Sequence, residues 1–127
     1  ADSVAVTLKF ENGAIGTITY LADGDKSFGK ERVEVIGAGR VAALDDFRSL
    51  ELVRQGRRKK IVSRLQQDKG HIGEWQAFAK AIREGSSVPI PFREIVAGTL
   101  ATLAIDESLR AGGPVAIDAD SFLSGGA

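Results

Sequence analysis

The chain has 127 residues, with 17 basic and 17 acidic side chains, one histidine and no cysteine. Balanced charge excludes a field that attracts a polyanion to the whole molecule, and the missing cysteines exclude disulfides, zinc–thiolate sites and a thiol nucleophile. The length fits one domain, and the apolar stretches fall far short of the roughly 20 residues that a membrane-spanning helix needs. We therefore expect a single cytoplasmic domain over residues 1–127, with no nucleic-acid or membrane partner.

The first half of the chain is typical of antiparallel strands. Apolar and polar residues alternate from residue 4 to residue 10, which is the period of a strand with one buried face. Gly13 can provide the turn to a second strand over residues 14–20, so these two segments predict a hairpin. A polar loop over residues 21–30 precedes a further strand over residues 32–36.

The segment that follows allows two interpretations. The sequence GAGRVA at residues 37–42 matches the GxGxxA dinucleotide fingerprint and comes after a predicted strand. On this interpretation residues 41–55 form a helix whose amino end holds a pyrophosphate. The basic residues at 57–60 would then bind the 2′-phosphate of NADP.

The alternative is that residues 37–39 form a hairpin turn, followed by strands over residues 40–45, 50–54 and 58–63. We favour this interpretation, because the fingerprint strand would stand third in its sheet, behind a hairpin that a doubly wound parallel sheet does not contain. The residues after position 64 also provide too few elements to complete a nucleotide-binding half. The fingerprint match is therefore predicted to be a sheet turn.

The second half predicts two helices. Apolar residues recur at spacings of three and four over residues 68–84, with Asp68 as a plausible N-cap and Gly85 as the stop. A second helix is predicted over residues 93–110, with Gly112 just past its end.

A short closing strand at residues 115–117 and a disordered tail at residues 119–127 complete the chain. Strands gathered in the first half and helices in the second predict an α+β fold. Its expected form is a mostly antiparallel open sheet of about six strands with two helices packed on one face.

Basic side chains are concentrated around the last predicted hairpin: Arg54, Arg57, Arg58, Lys59, Lys60 and Arg64. One interpretation is a phosphate or nucleic-acid contact. The other is a solvated hairpin tip and edge strand, where charge prevents strand-to-strand aggregation. Without interleaved aromatic residues or net positive charge, we favour the second interpretation.

Four polar residues are the candidate substrate contacts: Asp25, Lys26, Lys69 and His71. Asp25 and Lys26 lie in the polar loop, and loops carried by a rigid sheet are where ligand contacts concentrate. Lys69 and His71 lie at the start of the first predicted helix, and imidazole titrates near neutral pH. No second histidine, cysteine or carboxylate stands at metal-ligand spacing from His71, so we assign neither a metal site nor a catalytic residue.

The order of three segments resembles one family of oxidoreductases. The segments are FENGAIGTI at residues 10–18, VEVIGAGR at residues 33–40 and ESLRAGGPV at residues 107–115. In this order they resemble the carboxy-terminal α/β domain of the Gfo/Idh/MocA oxidoreductases, which include glucose-fructose oxidoreductase and inositol dehydrogenase. The resemblance covers residues 3–118, and in that family the glycine pair after the third strand is a turn inside the sheet.

The resemblance implies that the chain is one part of a larger enzyme acting on sugars, polyols or similar compounds. Complete members also have an amino-terminal Rossmann domain that binds NAD or NADP, a catalytic lysine in a Glu-Lys-Pro segment, and an Asp and His motif. None of these occurs in this sequence. The implied domain therefore binds no cofactor itself and is catalytically incomplete alone.

The resemblance also implies that loops of this domain help to wall the substrate pocket and that its sheet pairs with a second copy. Ala5 and Thr7 lie on the outer face of the first hairpin and are small enough for a flat sheet-to-sheet contact. Two alternatives stay open. One is a stand-alone nucleotide-binding module that uses the Gly37–Gly39 turn, and the other is a pure interaction domain.

Overall fold

A computed structural model of the protein describes residues 2–63 and 67–125. The described residues form six strands and three helices: β1 (Ser3–Lys9), β2 (Ile15–Leu21), β3 (Arg32–Gly37), β4 (Arg40–Asp45), β5 (Ser49–Arg54), β6 (Arg57–Val62), α1 (His71–Glu84), α2 (Phe92–Ala111) and α3 (Ala119–Ser124). The chain divides into two compact units, Ala1–His71 and Ile72–Ala127, which we name the sheet unit and the helical unit. The expectation of one domain over residues 1–127 stays a prediction.

β1 and β2 form the antiparallel hairpin predicted from the sequence. Val6 lies opposite Ile18 and Leu8 lies opposite Gly16. Gly13 has a φ of 84° and donates its N–H to the carbonyl oxygen of Phe10 at 2.9 Å. Because glycine adopts a positive φ without steric cost, Gly13 allows the turn to close.

Strands β3 to β6 form a four-stranded antiparallel sheet in chain order. Ala38 and Gly39 connect β3 to β4 with φ values of 48° and 69°, and Gln55 and Gly56 connect β5 to β6 with φ values of 50° and 72°. Two central residues with positive φ are typical of the type I′ turn, which matches the twist of a two-residue hairpin. The hairpin interpretation of the glycine pair is therefore confirmed, and the alternative helix after it is wrong.

The α+β fold class and the antiparallel strands are confirmed, but the strands do not form one sheet. In the described part of the chain, β1 and β2 pair only with each other, and β3 to β6 form a second sheet. The loop over residues 22–31 separates the two, and it turns on itself where Asp25 bonds to Ser27. The packing of helices on one face of a sheet stays a prediction.

Helix α1 begins at His71 and not at Asp68, because the Asp68 carboxylate accepts a hydrogen bond from the N–H of Gly70 in a local turn. Its end follows the prediction. Gly85 has a φ of 59°, and the next N–H, from Ser86, bonds to the carbonyl oxygen of Ala81 at 3.0 Å. This pairing is the Schellman motif that satisfies carbonyl groups at the end of a helix.

The segment after α2 differs from the sequence prediction. The structure has no strand at residues 115–117, and α3 occupies part of the predicted disordered tail at residues 119–127. Asp118 caps α3 by accepting a hydrogen bond from the N–H of Ser121. Arg93 of α2 binds both carboxylate oxygens of Asp120, at 2.5 and 2.6 Å, so the short helix is bonded to its neighbour.

Full burial is confined to small or medium apolar side chains among the described residues. Ala81, Val96 and Ala119 are buried, and all three lie in the helical unit. Larger apolar side chains stay exposed in both units, including Ile36 at 77% and Trp75 at 71%. No helix in residues 2–63 and 67–125 is long and apolar enough to cross a bilayer.

Candidate functional site

Three segments of the sheet unit meet at the end of the four-stranded sheet where β4 turns into β5. Lys69, after β6, has its Nζ 2.5 Å from Glu31 Oε1 and 6.0 Å from the centre of the Phe47 ring. Gln67 donates from Nε2 to the carbonyl oxygen of Asp46 at 2.8 Å. We name the group at this end the turn cluster: Glu31, Asp46, Phe47, Arg48, Gln67 and Lys69.

Asp46 bonds the loop before β3 to the turn after β4. Its Oδ1 accepts from the backbone N–H of Lys30 at 3.1 Å, and its Oδ2 accepts from Arg48 Nε at 3.2 Å. Its own N–H donates to the carbonyl oxygen of Glu31 at 2.6 Å. The Lys30 N–H holds the pKa of the Asp46 carboxyl below its usual value of 3.8, and Arg48 acts in the same direction.

The backbone of the turn cluster is strained. Asp46 and Phe47 have φ values of 47° and 52°, although neither is glycine. Such left-handed conformations cost roughly 1–2 kcal/mol per residue, with aspartate among the residues that tolerate them best. Gly29 packs beside the turn, where an added Cβ would lie 3.1 Å from Asp46 Cβ. The side-chain bonds of Asp46 and the close approach of Gly29 hold this turn in place.

Glu31 has one paired and one unpaired oxygen. Oε1 bonds to Lys69, whereas Oε2 is inaccessible to solvent and has no hydrogen-bond partner among the described residues. A buried acceptor is normally satisfied by a donor. Among the described residues, Glu31 Oε2 is therefore the buried side-chain oxygen that has no donor.

Of the four residues predicted as substrate contacts, only Lys69 lies in the turn cluster. The Asp25 carboxylate accepts from the Ser27 hydroxyl at 2.6 Å and from the Ser27 N–H at 2.8 Å, and these bonds lower the pKa of the Asp25 carboxyl. The side chains of Lys26 and His71 are exposed and have no ion pair or hydrogen bond within the described residues. Lys69 thus contacts the end of the loop that carries Asp25 and Lys26, but no hydrogen bond or ion pair within the described residues joins the side chains of any two of the four.

Five members of the turn cluster escape prediction from the sequence: Glu31, Asp46, Phe47, Arg48 and Gln67. Glu31 and Lys69 stand 38 positions apart, and the pairing of β3 through β6 brings them together. Asp45 and Asp46 would point to opposite faces on a strand, but Asp46 lies in the turn with a positive φ. The available signal was the gap between the predicted strands at 40–45 and 50–54, which marks the turn but not its contacts.

The strand register sorts the charges of the four-stranded sheet by face, because directly opposite residues point the same way. On one face, the basic face, all the charged residues are cations: Arg40, Arg54, Arg57 and Lys59. The other, the mixed face, carries three cations and three anions: Arg32, Arg58, Lys60, Glu34, Asp45 and Glu51. Ion pairs join Arg32 to Glu34 at 2.5 Å and Arg58 to Glu51 at 3.4 Å, so only the mixed face is balanced.

The helical unit has an apolar groove of about 580 Å³ that is lined by residues of α1, of α2 and of the connector between them. Trp75 and Phe78 lie in its wall in an edge-to-face contact, with ring centres 6.3 Å apart. Glu74 is the only charged side chain among the described residues that line it. A polyol needs several convergent polar groups, so this groove is a poor candidate for a hydroxylated substrate.

Among the described residues, no three histidine, aspartate or glutamate side chains lie together in a way that could hold a metal ion. No protein-family model, curated protein or solved structure matches the chain. Its function is therefore inferred from its own residues and geometry.

Proposed function

We propose that the chain is the substrate-binding and oligomerisation domain of an NAD(P)-dependent oxidoreductase that acts on sugars, polyols or similar compounds. On this proposal the domain is cytoplasmic and catalytically incomplete alone, and NAD or NADP binds to an amino-terminal Rossmann domain of the same parent chain. One observation carries the proposal. The glycine pair Gly37 and Gly39 forms a turn inside an antiparallel sheet, with a hairpin before it and two long helices after it, in the order that the resemblance to Gfo/Idh/MocA domains implies.

The turn cluster supports a polar wall for the substrate pocket. Hydroxyl groups both donate and accept hydrogen bonds, so a pocket that holds a polyol needs side chains of both kinds. Lys69 supplies a donor and the carboxylate of Glu31 an acceptor, and both side chains are about one-third exposed. Asp25 and Lys26, which lie earlier in the loop that ends at Glu31, and His71, two residues after Lys69, are the other residues proposed for this wall.

The mixed face is the surface proposed to pair with a second copy. In a symmetric dimer each patch meets its own copy, so the basic face would set its cations against identical cations. The mixed face has equal numbers of both signs and includes Ile36, which is 77% exposed. On the first hairpin, Ala5 and Thr7 lie opposite Thr19 and Thr17, which supports a second flat contact.

Sedimentation velocity at micromolar concentration tests the pairing. The chain should sediment as a dimer, and Ile36→Lys should shift it to a monomer because a buried unpaired charge is costly. Val35→Lys is the matched control, since Val35 is the neighbouring residue on the basic face and is also exposed, at 62%. A monomer at all concentrations, or dissociation by Val35→Lys alone, would contradict the proposed interface.

Ligand titrations test the two other parts of the proposal, that this domain binds a polyol or sugar and that it does not bind the nicotinamide cofactor. NADH and NADPH should show no saturable binding to the chain, whereas a cyclic polyol or a hexose should shift amide resonances of residues 22–31 and 67–71 in NMR spectra. Saturable micromolar binding of either nucleotide would overturn the proposal in favour of a stand-alone nucleotide module. Dimerisation without any polyol shift would favour a pure interaction domain.

The nucleotide-module alternative has less support at the glycine pair. After Gly39 the chain continues as β4, so no helix amino terminus follows the turn. The dinucleotide fingerprint needs that helix terminus to hold the pyrophosphate.

A further inference from the structure

The strand register aligns arginines from three neighbouring strands. Arg40 of β4 lies directly opposite Arg54 of β5, and Arg54 lies directly opposite Arg57 of β6. Neighbouring strands are about 4.8 Å apart, so the three side chains begin side by side within about 10 Å. Lys59 follows Arg57 on the same face of β6. We name these four residues the arginine row.

The arginine row has no acidic partner within the described residues. All four side chains are exposed, and none of the ion pairs in residues 2–63 and 67–125 includes any of them. The carboxylates of the same strands, Glu34, Asp45 and Glu51, all lie on the mixed face. Like charges directly opposite each other destabilise an antiparallel pair. The sheet thus carries two repulsive cross-strand pairs that nothing on its own basic face relieves.

The arginine row is open at its β3 end. The residue opposite Arg40 on β3 is Gly37, and a Cβ added there would meet no atom within 4 Å. A ligand can therefore approach Arg40 from the side as well as from above the face. The row has the exposure and the room that a bound anion requires.

We propose that the arginine row binds a small molecule that carries a chain of two or three phosphate groups with a free terminal phosphate. The linked phosphates of NADH and NADPH bridge two nucleosides and have no free terminal phosphate, so neither dinucleotide is a ligand of this row. A guanidinium group is planar and presents paired donors that match phosphate oxygens, and Lys59 adds a compact positive charge. Three guanidinium groups in a line can each bind one phosphate of a linked chain, whereas an isolated phosphate cannot reach all three. The arginine row lies on strands and differs from the nucleotide site considered for Gly37–Gly39, which would need the amino end of a helix. The proposal does not depend on the proposed oxidoreductase role.

Calorimetric titration with inorganic tripolyphosphate, pyrophosphate and orthophosphate tests this site on the chain as it exists. Tripolyphosphate should bind at one molecule per chain and more tightly than orthophosphate. Arg54→Ala, which removes the central member of the row, should weaken tripolyphosphate binding roughly tenfold or more. Arg58→Ala is the matched control, because it removes the same charge from a neighbouring strand but on the mixed face, and it should weaken binding by less than about threefold.

Titration with a nucleoside triphosphate distinguishes a site for free polyphosphate from a site for the phosphate chain of a nucleotide. If it binds like tripolyphosphate and loses affinity equally with Arg54→Ala, the site recognises the phosphates. If its binding does not respond to Arg54→Ala, the proposal is wrong. It is also wrong if tripolyphosphate binding does not saturate, if Arg54→Ala and Arg58→Ala weaken it equally, or if an oligonucleotide binds more tightly per phosphate than tripolyphosphate does.

Folding is checked independently. Arg54→Ala should melt no lower than the unchanged chain, because it removes two like-charge contacts, and Arg57→Ala provides a second variant of the same row. A row variant that stays folded and keeps full tripolyphosphate affinity would overturn the proposal.

Discussion

The two ends of the four-stranded sheet differ in whether their charged side chains have partners of opposite charge. At the end with the two type I′ turns, the arginine row places cations opposite one another with no acidic partner on the same face. At the other end, the turn cluster joins each carboxylate to a donor, Asp46 to the Lys30 N–H and Glu31 to Lys69. Charges in the turn cluster are therefore satisfied inside the fold and should stabilise it. Those of the arginine row are left for a partner outside it.

Removing the Asp46 carboxylate is the most direct test of whether the turn cluster stabilises the fold. Asp46→Ala deletes the acceptor of the Lys30 N–H and of Arg48, and it leaves alanine in a left-handed conformation that alanine tolerates poorly. We expect a fall of several degrees in the melting temperature measured by circular dichroism, the largest change among the substitutions proposed here. Ser124→Ala, at an exposed position of α3, is the control and should change the melting temperature little. An unchanged melting temperature for Asp46→Ala would mean that the turn cluster does not stabilise the fold.

The same aspartate predicts the pH dependence of stability. The pKa of Asp46 is lowered in the folded chain from its usual 3.8, chiefly by the Lys30 N–H. Because the unfolded chain binds the proton more readily, the stabilisation from Asp46 is fully present above pH 3.8 and is lost as the pH falls below it, through the folded pKa. Asp46→Asn should therefore be less stable than the unchanged chain near pH 6 and approach it near pH 3 in urea unfolding. A stability difference that stays constant from pH 6 to pH 3 would contradict the assignment.

Reversing one charge should turn the arginine row into a stabilising group. Arg54→Glu places a carboxylate between Arg40 and Arg57, so two repulsive cross-strand pairs become attractive. The expected gain in unfolding free energy is about 1 kcal/mol, measured by urea denaturation at low salt. Arg58→Glu is the control on the mixed face, where it would break the ion pair with Glu51 and lower stability. If both variants lose stability, the row is not electrostatically frustrated.

The contrast between the two ends also shows what the sequence could predict. Local signals sufficed for the strands, the glycine-pair turn and the two long helices, because alternation, turn residues and helical spacing act over a few positions. The arginine row depends on which residue of β4 lies opposite which residue of β5, and no local pattern pairs Arg40 with Arg54 because they lie on different strands. Glu31 and Lys69 likewise meet only through the whole sheet. For α3 the Asp118 cap is a local signal, but the bond from Arg93 to Asp120 joins residues 27 positions apart and cannot be predicted from the local sequence.

The smallest expected effect on stability comes from replacing one lysine at each end of the four-stranded sheet. Lys69→Met keeps an apolar stem near Phe47 but removes the ion pair with Glu31, in which both side chains are about one-third exposed. Partly exposed pairs contribute about 0.5 kcal/mol, so stability should fall by about that amount. Lys59→Met, in the arginine row, removes a cation that has no acidic partner among the described residues, and it should leave stability unchanged or slightly raised. Urea unfolding of both variants in low and high salt checks this. Salt should shrink the Lys69 difference, and an equal loss in the two variants would show that the two ends do not differ in how their charges are satisfied.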